Sequence, residues 1–170
     1  MSHTIANWDP EDTVAWEAGN KNIARRNLIW SVAAEHIGFS IWSIWSVMVL
    51  FMPEAVYGFT AGDKFLLGAT ATLVGACLRI PYTLATATFG GRNWTVFSAF
   101  VLLIPTVGTI WLLAHPGLPL WPYLVCAALA GLGGGNFASS MTNINAFYPQ
   151  RVCAVYLVVL AVAGIGAAFT

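Results

Sequence analysis

Hydrophobic and polar positions are laid out along this chain in long blocks rather than in short periods. After a polar stretch of mixed charge over residues 1–27, apolar runs occupy about 28–52, 65–89, 94–114, 121–147 and 152–169, with short polar connections between them. Each run is about long enough to cross a ~30 Å hydrocarbon layer as a helix, the last being the shortest at 18 residues. The pattern predicts an all-α integral membrane protein with about five transmembrane helices over residues 28–170. Residues 1–27 lack an apolar core behind a basic start, so they read as a tail and not as a cleavable signal peptide. The first run is then an uncleaved anchor.

Composition sharpens the class. Of 170 residues 58% are hydrophobic and only 8% charged, with mean hydropathy +0.73; a soluble domain carries about 25% charged residues. Net charge is zero and selects no partner beyond the lipid bilayer. The loop charges are more telling: with the tail inside, Lys21, Arg25, Arg26, Arg92 and Arg151 lie on the cytoplasmic side and only Lys64 outside. That bias predicts a multi-pass protein of the cell (inner or plasma) membrane with a cytoplasmic N-terminus. Trp30, Trp94, Trp121 and Tyr148 fall near run ends, as interfacial aromatics would. Cys77, Cys126 and Cys153 lie inside apolar runs without a CxxC spacing and read as core packing. Three histidines and no clustered carboxylates leave too few groups for an enzyme site. No metal, cofactor, catalytic residue or nucleic-acid partner is expected.

Three stretches carry candidate chemistry. The run from Phe65 to Phe89 has a single charge, Arg79, which would sit near the bilayer midplane at a cost of about 2.5–3.5 kcal/mol. Thr72, Gly75, Thr83 and Thr86 share its helical face, and Pro81 frees a carbonyl two positions on, so Arg79 is expected to point inward. A guanidinium fork there suits a planar oxyanion. The bland alternative is a structural arginine paired to a neighbouring helix. In the run over 121–147, Gly131, Gly135, Ser139 and Asn143 repeat at i, i+4 and predict a helix-packing groove. Phe137 lies among these small residues. At 1.5 Å per residue, Arg79 and Phe137 are roughly 21 and 24 Å below the outer ends of their runs, at nearly one level. In the first run Glu35, Phe39, Trp42 and Ser46 share a face; Glu35 is the candidate for proton coupling, against an interfacial glutamate paired to a neighbour, and His36 reads as an interhelical hydrogen bonder.

With these residues on the page, the sequence resembles the nitrate/nitrite porters of the major facilitator superfamily over about residues 7–150. The likeness is carried by Asn7-Trp8-Asp9-Pro10-Glu11-Asp12, Arg26-Asn27-Leu28, Leu78-Arg79-Ile80-Pro81-Tyr82, Phe89-Gly90-Gly91-Arg92, and Gly135-Asn136-Phe137-Ala138-Ser139-Ser140-Met141-Thr142-Asn143-Ile144 with Phe147 and Pro149. The resemblance implies the N-terminal part of a twelve-helix fold, with Arg79 and Phe137 as contacts to nitrate or nitrite. Asn136 and Phe39 are added as substrate-binding candidates. It also implies nitrate import with protons, nitrite export, or exchange of the two.

Residues 151–170 lack the asparagine-rich pattern the family shows in its next segment. Transport of nitrate and nitrite by a truncated or frame-shifted chain is therefore the leading expectation, the remainder of the site coming from a missing C-terminal half or a partner chain. The alternative is a five-span structural or interaction protein that packs on a partner through the Gly131–Asn143 groove.

Overall fold

The computed structural model describes residue 5 and residues 8–167, with side chains as far as residue 162. Five long helices carry the fold: α1 (Lys21–Met48), α2 (Ala61–Phe89), α3 (Gly91–Ala114), α4 (Leu120–Phe147) and α5 (Gln150–Ala167). Among the described residues no strand is present. The stretch holding α1 and the helices α2, α3 and α4 are each long and apolar enough to cross a membrane, and α5 adds a shorter apolar helix over Gln150–Val162. Leu73, Ile80, Leu84, Phe100, Ile104 and Val107 stay exposed on the outside, as residues facing lipid do. The chain is an all-α multi-pass membrane protein.

Local chemistry sets the helix ends. A capping box opens α2: Thr60 N and Oγ1 donate to Asp63 Oδ2 at 2.9 and 2.7 Å, while Asp63 N donates to Thr60 Oγ1 at 3.3 Å. Gly90 ends α2 with φ 82°, a conformation that costs glycine nothing. Helix α3 carries a hitch at Leu102, where Pro105 denies the ladder a donor; α4 has one at Gly131. Pro81 lies inside α2 without interrupting it.

The hub is α4. Over half of its most apolar stretch (56%) is buried, against 22–28% in the other three spans. It runs antiparallel to α1 and α3, and alongside α2 and α5 it closes the bundle. Its glycines let backbones meet. A Cβ on Gly133 would run into the Gly38 carbonyl of α1, and one on Gly134 would lie 3.2 Å from Gly75 Cα of α2. At the other end of the contact, a Cβ on Gly91 of α3 would collide with the Asn143 side-chain oxygen. Backbone approach of this kind is how membrane helices gain packing without a hydrophobic driving force.

Two apolar clusters lie at the ends of the bundle. One gathers Trp45, Met52, Phe59, Leu67, Leu112 and Tyr123; the other, on the side of the tail, gathers Trp16, Leu28, Ile144, Tyr148, Cys153 and Leu160. The tail folds back over that second cluster. Trp8 packs on Phe147 at 5.0 Å, Trp16 on Tyr148 at 5.7 Å, and Glu11 Oε1 accepts from Gln150 N at 2.6 Å, capping α5.

These contacts correct two expectations. Tyr148 is buried under the tail, whereas Trp30 and Trp121 are exposed as interfacial residues would be. Cys77 is exposed on the outer surface of α2, because α4 covers the opposite side at Gly75 and Tyr82; Cys126 and Cys153 are buried.

Candidate functional site

Between the two apolar clusters runs a belt of glycine and polar side chains, and the candidate site lies in it. Helix α2 supplies Arg79, α4 Phe137, and α1 Phe39 and Trp42. The Arg79 guanidinium carbon is 5.8 Å from the centroid of the Phe137 ring, within cation–π range. Phe39 meets Phe137 edge to face at 5.7 Å, and Trp42 meets Phe39 the same way at 5.3 Å. The row is anchored at its far end, where Trp42 Nε1 donates to the Ala71 carbonyl of α2 at 3.1 Å. Gly75 permits this closeness, since a Cβ there would stand 3.0 Å from Trp42 Nε1. Three helices thus present a guanidinium and a run of aromatic rings on one surface.

Arg79 itself is not enclosed, contrary to the expectation that it points inward. It is exposed, beside a shallow groove lined by Ile80, Thr83 and Leu84. The expected polar face is split: Gly75 and Thr86 are buried, Thr72 is exposed, and the Thr72, Thr83 and Thr86 hydroxyls donate to carbonyls one turn back in their own helix.

Asn136 stands apart from this group. Its Nδ2 donates to the Ala34 carbonyl of α1 at 3.2 Å, and its Oδ1 accepts from Ser98 of α3 at 3.1 Å and from Ser139 at 3.2 Å. Being only 1% exposed and bonded to two other helices, it staples three helices together. A second staple lies toward the tail, where Asn143 Nδ2 donates to Asn27 Oδ1 at 3.0 Å and to Ser31 Oγ at 3.3 Å. Gly131, Gly135, Ser139 and Asn143 are all buried, Gly131 and Gly135 against α2 and Asn143 against α1. Sequence reasoning missed Ser98, Asn27 and the anchoring role of Trp42. For Ser98 the signal is a polar residue in an otherwise apolar run; Asn27 lies in the polar stretch before the first run, where nothing marks it out.

Glu35 is fully buried on α1, and neither of its carboxyl oxygens has a hydrogen-bond partner. The neighbouring Ser140 hydroxyl of α4 is also unpartnered. His36 is exposed, and none of the described hydrogen bonds involves its ring, so it is no interhelical bonder. It points away from α4 because Glu35 and Gly38 occupy the packed face.

A multi-pass helical membrane protein that offers a guanidinium beside aromatic rings, between its two apolar clusters, has the means to hold a small planar anion. The comparisons give the family. Over 148 residues the chain is 40% identical to the nitrate/nitrite transporter NarU of Escherichia coli, covering 87% of this chain and 32% of that protein. It is 33% identical to the probable nitrate/nitrite antiporter NarK2 of Thermus thermophilus, covering 87% and 33%. The probable nitrate transporter NarT of Staphylococcus aureus shares 24% over 115 residues, 68% and 28%. No family model matches the chain. By sequence the chain belongs with the nitrate/nitrite porters and matches their N-terminal part. It spans about a third of the length of the curated relatives it matches.

Proposed function

We propose that this chain carries one wall of a nitrate/nitrite translocation path through the cell membrane, with its N-terminus cytoplasmic. The observation that carries the reading is the Arg79 guanidinium set 5.8 Å from the Phe137 ring, with Phe39 edge-on behind it. A guanidinium fork matches two oxygens of a planar oxyanion, and a flat ring beside it displaces water from the anion's face. The names of the relatives support the substrate class, and the excess of Lys21, Arg25, Arg26, Arg92 and Arg151 over Lys64 supports the orientation. Because Arg79 is exposed, the facing wall comes, on this reading, from helices other than these five, in the same polypeptide or in a partner.

The test is calorimetric titration of the purified chain in lipid nanodiscs with sodium nitrate, against sodium chloride at equal ionic strength. Nitrate is expected to bind saturably. Arg79→Gln should weaken it at least about tenfold, the effect of losing hydrogen bonds to a charged group, and Phe137→Ala should weaken it less. Wild-type nitrate affinity in Arg79→Gln, or chloride bound as well as nitrate, refutes the reading.

A further inference from the structure

A circuit of contacts begins and ends on α2. Trp42 Nε1 of α1 donates to the Ala71 carbonyl of α2 at 3.1 Å. Trp42 meets Phe39 edge to face at 5.3 Å, and Phe39 meets Phe137 of α4 the same way at 5.7 Å. Phe137 lies 5.8 Å from the Arg79 guanidinium carbon, back on α2 and roughly 12 Å along that helix from Ala71. Trp42 is thus connected to Arg79 through two rings. An aromatic contact tolerates a tilt or slide of the ring, whereas an N–H aimed at a carbonyl fixes both distance and direction. The bond to Ala71 is the directional member of the circuit.

The indole occupies a socket that both neighbouring helices leave open. A Cβ on Gly75 of α2 would stand 3.0 Å from Trp42 Nε1, one on Gly134 of α4 3.1 Å from Trp42 Cε2, and one on Gly133 3.4 Å from Trp42 Cβ. Gly75 is the telling position. Its missing side chain clears the indole nitrogen itself, so the room is made for the ring in the orientation that reaches Ala71. Trp42, Phe39 and Phe137 are all partly exposed, so the row is packed without being sealed off.

We propose that Trp42 is the positioning residue of the anion site: its bond to Ala71 fixes the aim of the Phe137 ring and thereby sets a preference for a flat anion. This rests on the reading of Arg79 and Phe137 as the anion contacts. Arg79 supplies charge and donors to any small oxyanion. The face of Phe137 adds full contact only to an anion whose atoms lie in one plane parallel to it. A pyramidal oxyanion of the same charge touches the ring with fewer atoms and gains less from its orientation. Once Trp42 is released from Ala71, the Trp42 and Phe39 rings can swing and Phe137 follows. The site then keeps its charge and loses its flat wall.

The experiment titrates the purified chain in lipid nanodiscs with sodium nitrate and with sodium chlorate, whose anion has the same charge and as many oxygens but is pyramidal. The wild type should bind nitrate more tightly than chlorate. Trp42→Phe keeps a ring in the socket and removes the N–H. Nitrate affinity should then fall about three- to tenfold and chlorate affinity by less than about twofold, which narrows the preference. Benzothienylalanine in place of Trp42 exchanges the N–H for sulfur at nearly unchanged shape, and it should narrow the preference as Trp42→Phe does. Gly75→Ala, which crowds the indole nitrogen, should narrow it too and add little on top of Trp42→Phe. The benzothienyl chain decides the matter where Trp42→Phe does not fold. An unchanged preference in that chain, or nitrate and chlorate weakened equally, makes Trp42 a part of the scaffold and overturns the proposal. The anion site itself still stands in that case if Arg79→Gln weakens both anions. A wild type that binds neither anion saturably overturns the site and the proposal together.

Discussion

Replacing Gly133 by alanine tests how the site is held together. A Cβ at this position meets the Gly38 carbonyl oxygen and stands 3.4 Å from Trp42 Cβ. The first obstacle is backbone, so no side chain can swing aside. Restoring ordinary van der Waals separation requires α1 and α4 to part by on the order of 1 Å. The Asn136 Nδ2 to Ala34 carbonyl bond, already 3.2 Å, then stretches beyond a useful length. Overpacking costs about 1–3 kcal/mol and the lost hydrogen bond about 0.5–1.5 kcal/mol, so the expected loss is about 1.5–4.5 kcal/mol. Phe39 and Phe137, 5.7 Å apart across the same contact, separate toward the ~7 Å limit of aromatic pairing, and on the proposed reading of the site nitrate affinity should fall with stability.

The assay is SDS unfolding in mixed micelles followed by tryptophan fluorescence. Gly68→Ala on α2, where nothing lies within 4 Å of a new Cβ, is the control for the methyl group itself. If the unfolding midpoint of Gly133→Ala coincides with that of Gly68→Ala, close backbone approach is not what joins α1 to α4.

Gly91→Ala should displace the Asn143 side chain and cost the bonds to Asn27 and Ser31, about 1–3 kcal/mol by the same unfolding assay, with nitrate affinity far less affected than by Arg79→Gln. In the tail, the Lys21 ammonium bonds Glu17 at 2.6 Å and holds that carboxyl below its ordinary range. A lowered carboxyl contributes its stabilisation above the unfolded-state value and loses it as pH falls through the folded-state one. Because both side chains of the pair are exposed to water, Lys21→Ala should return the Glu17 titration, read by NMR, toward the ordinary glutamate range while leaving the unfolding midpoint at neutral pH unchanged.

The helices were legible because bilayer thickness fixes their length, and the apolar runs announce it. Their starts were less so. Helix α2 begins four residues before its apolar run, at the Thr60–Asp63 capping box, a signal present in the sequence but polar and easily assigned to the loop. Arg79 and Phe137 were legible as neighbours by counting depth along two helices, and they lie 5.8 Å apart. Asn136 was named beside Phe137 as a substrate contact, and in the structure its amide is engaged by Ala34, Ser98 and Ser139, about 100° round the helix from the Phe137 ring. The i, i+4 reading of Gly131, Gly135, Ser139 and Asn143 selects one stripe of α4. Gly133, which carries the tightest approach to α1, falls outside it, as does Gly134, whose Cβ would stand 3.2 Å from Gly75 Cα of α2, although Gly131 within the stripe approaches α2 more closely still. A stripe describes a helix with one partner, and α4 is surrounded.

That central position also separates the polar groups that hold the fold from those free to act. In lipid every unsatisfied polar group is costly, so a buried amide or hydroxyl serving structure should be paired. Asn136, Asn143, Ser98 and Ser139 obey this, each bonded across or along the bundle. Among the described residues the exceptions are the indole N–H groups of Trp8, Trp45 and Trp94, one Asn27 amide nitrogen, Ser140, and both oxygens of Glu35. Indoles bring large apolar area with a single donor, and Asn27 already accepts through its oxygen. Glu35 has no such offset, being small in apolar surface, ionisable, and bare at both oxygens.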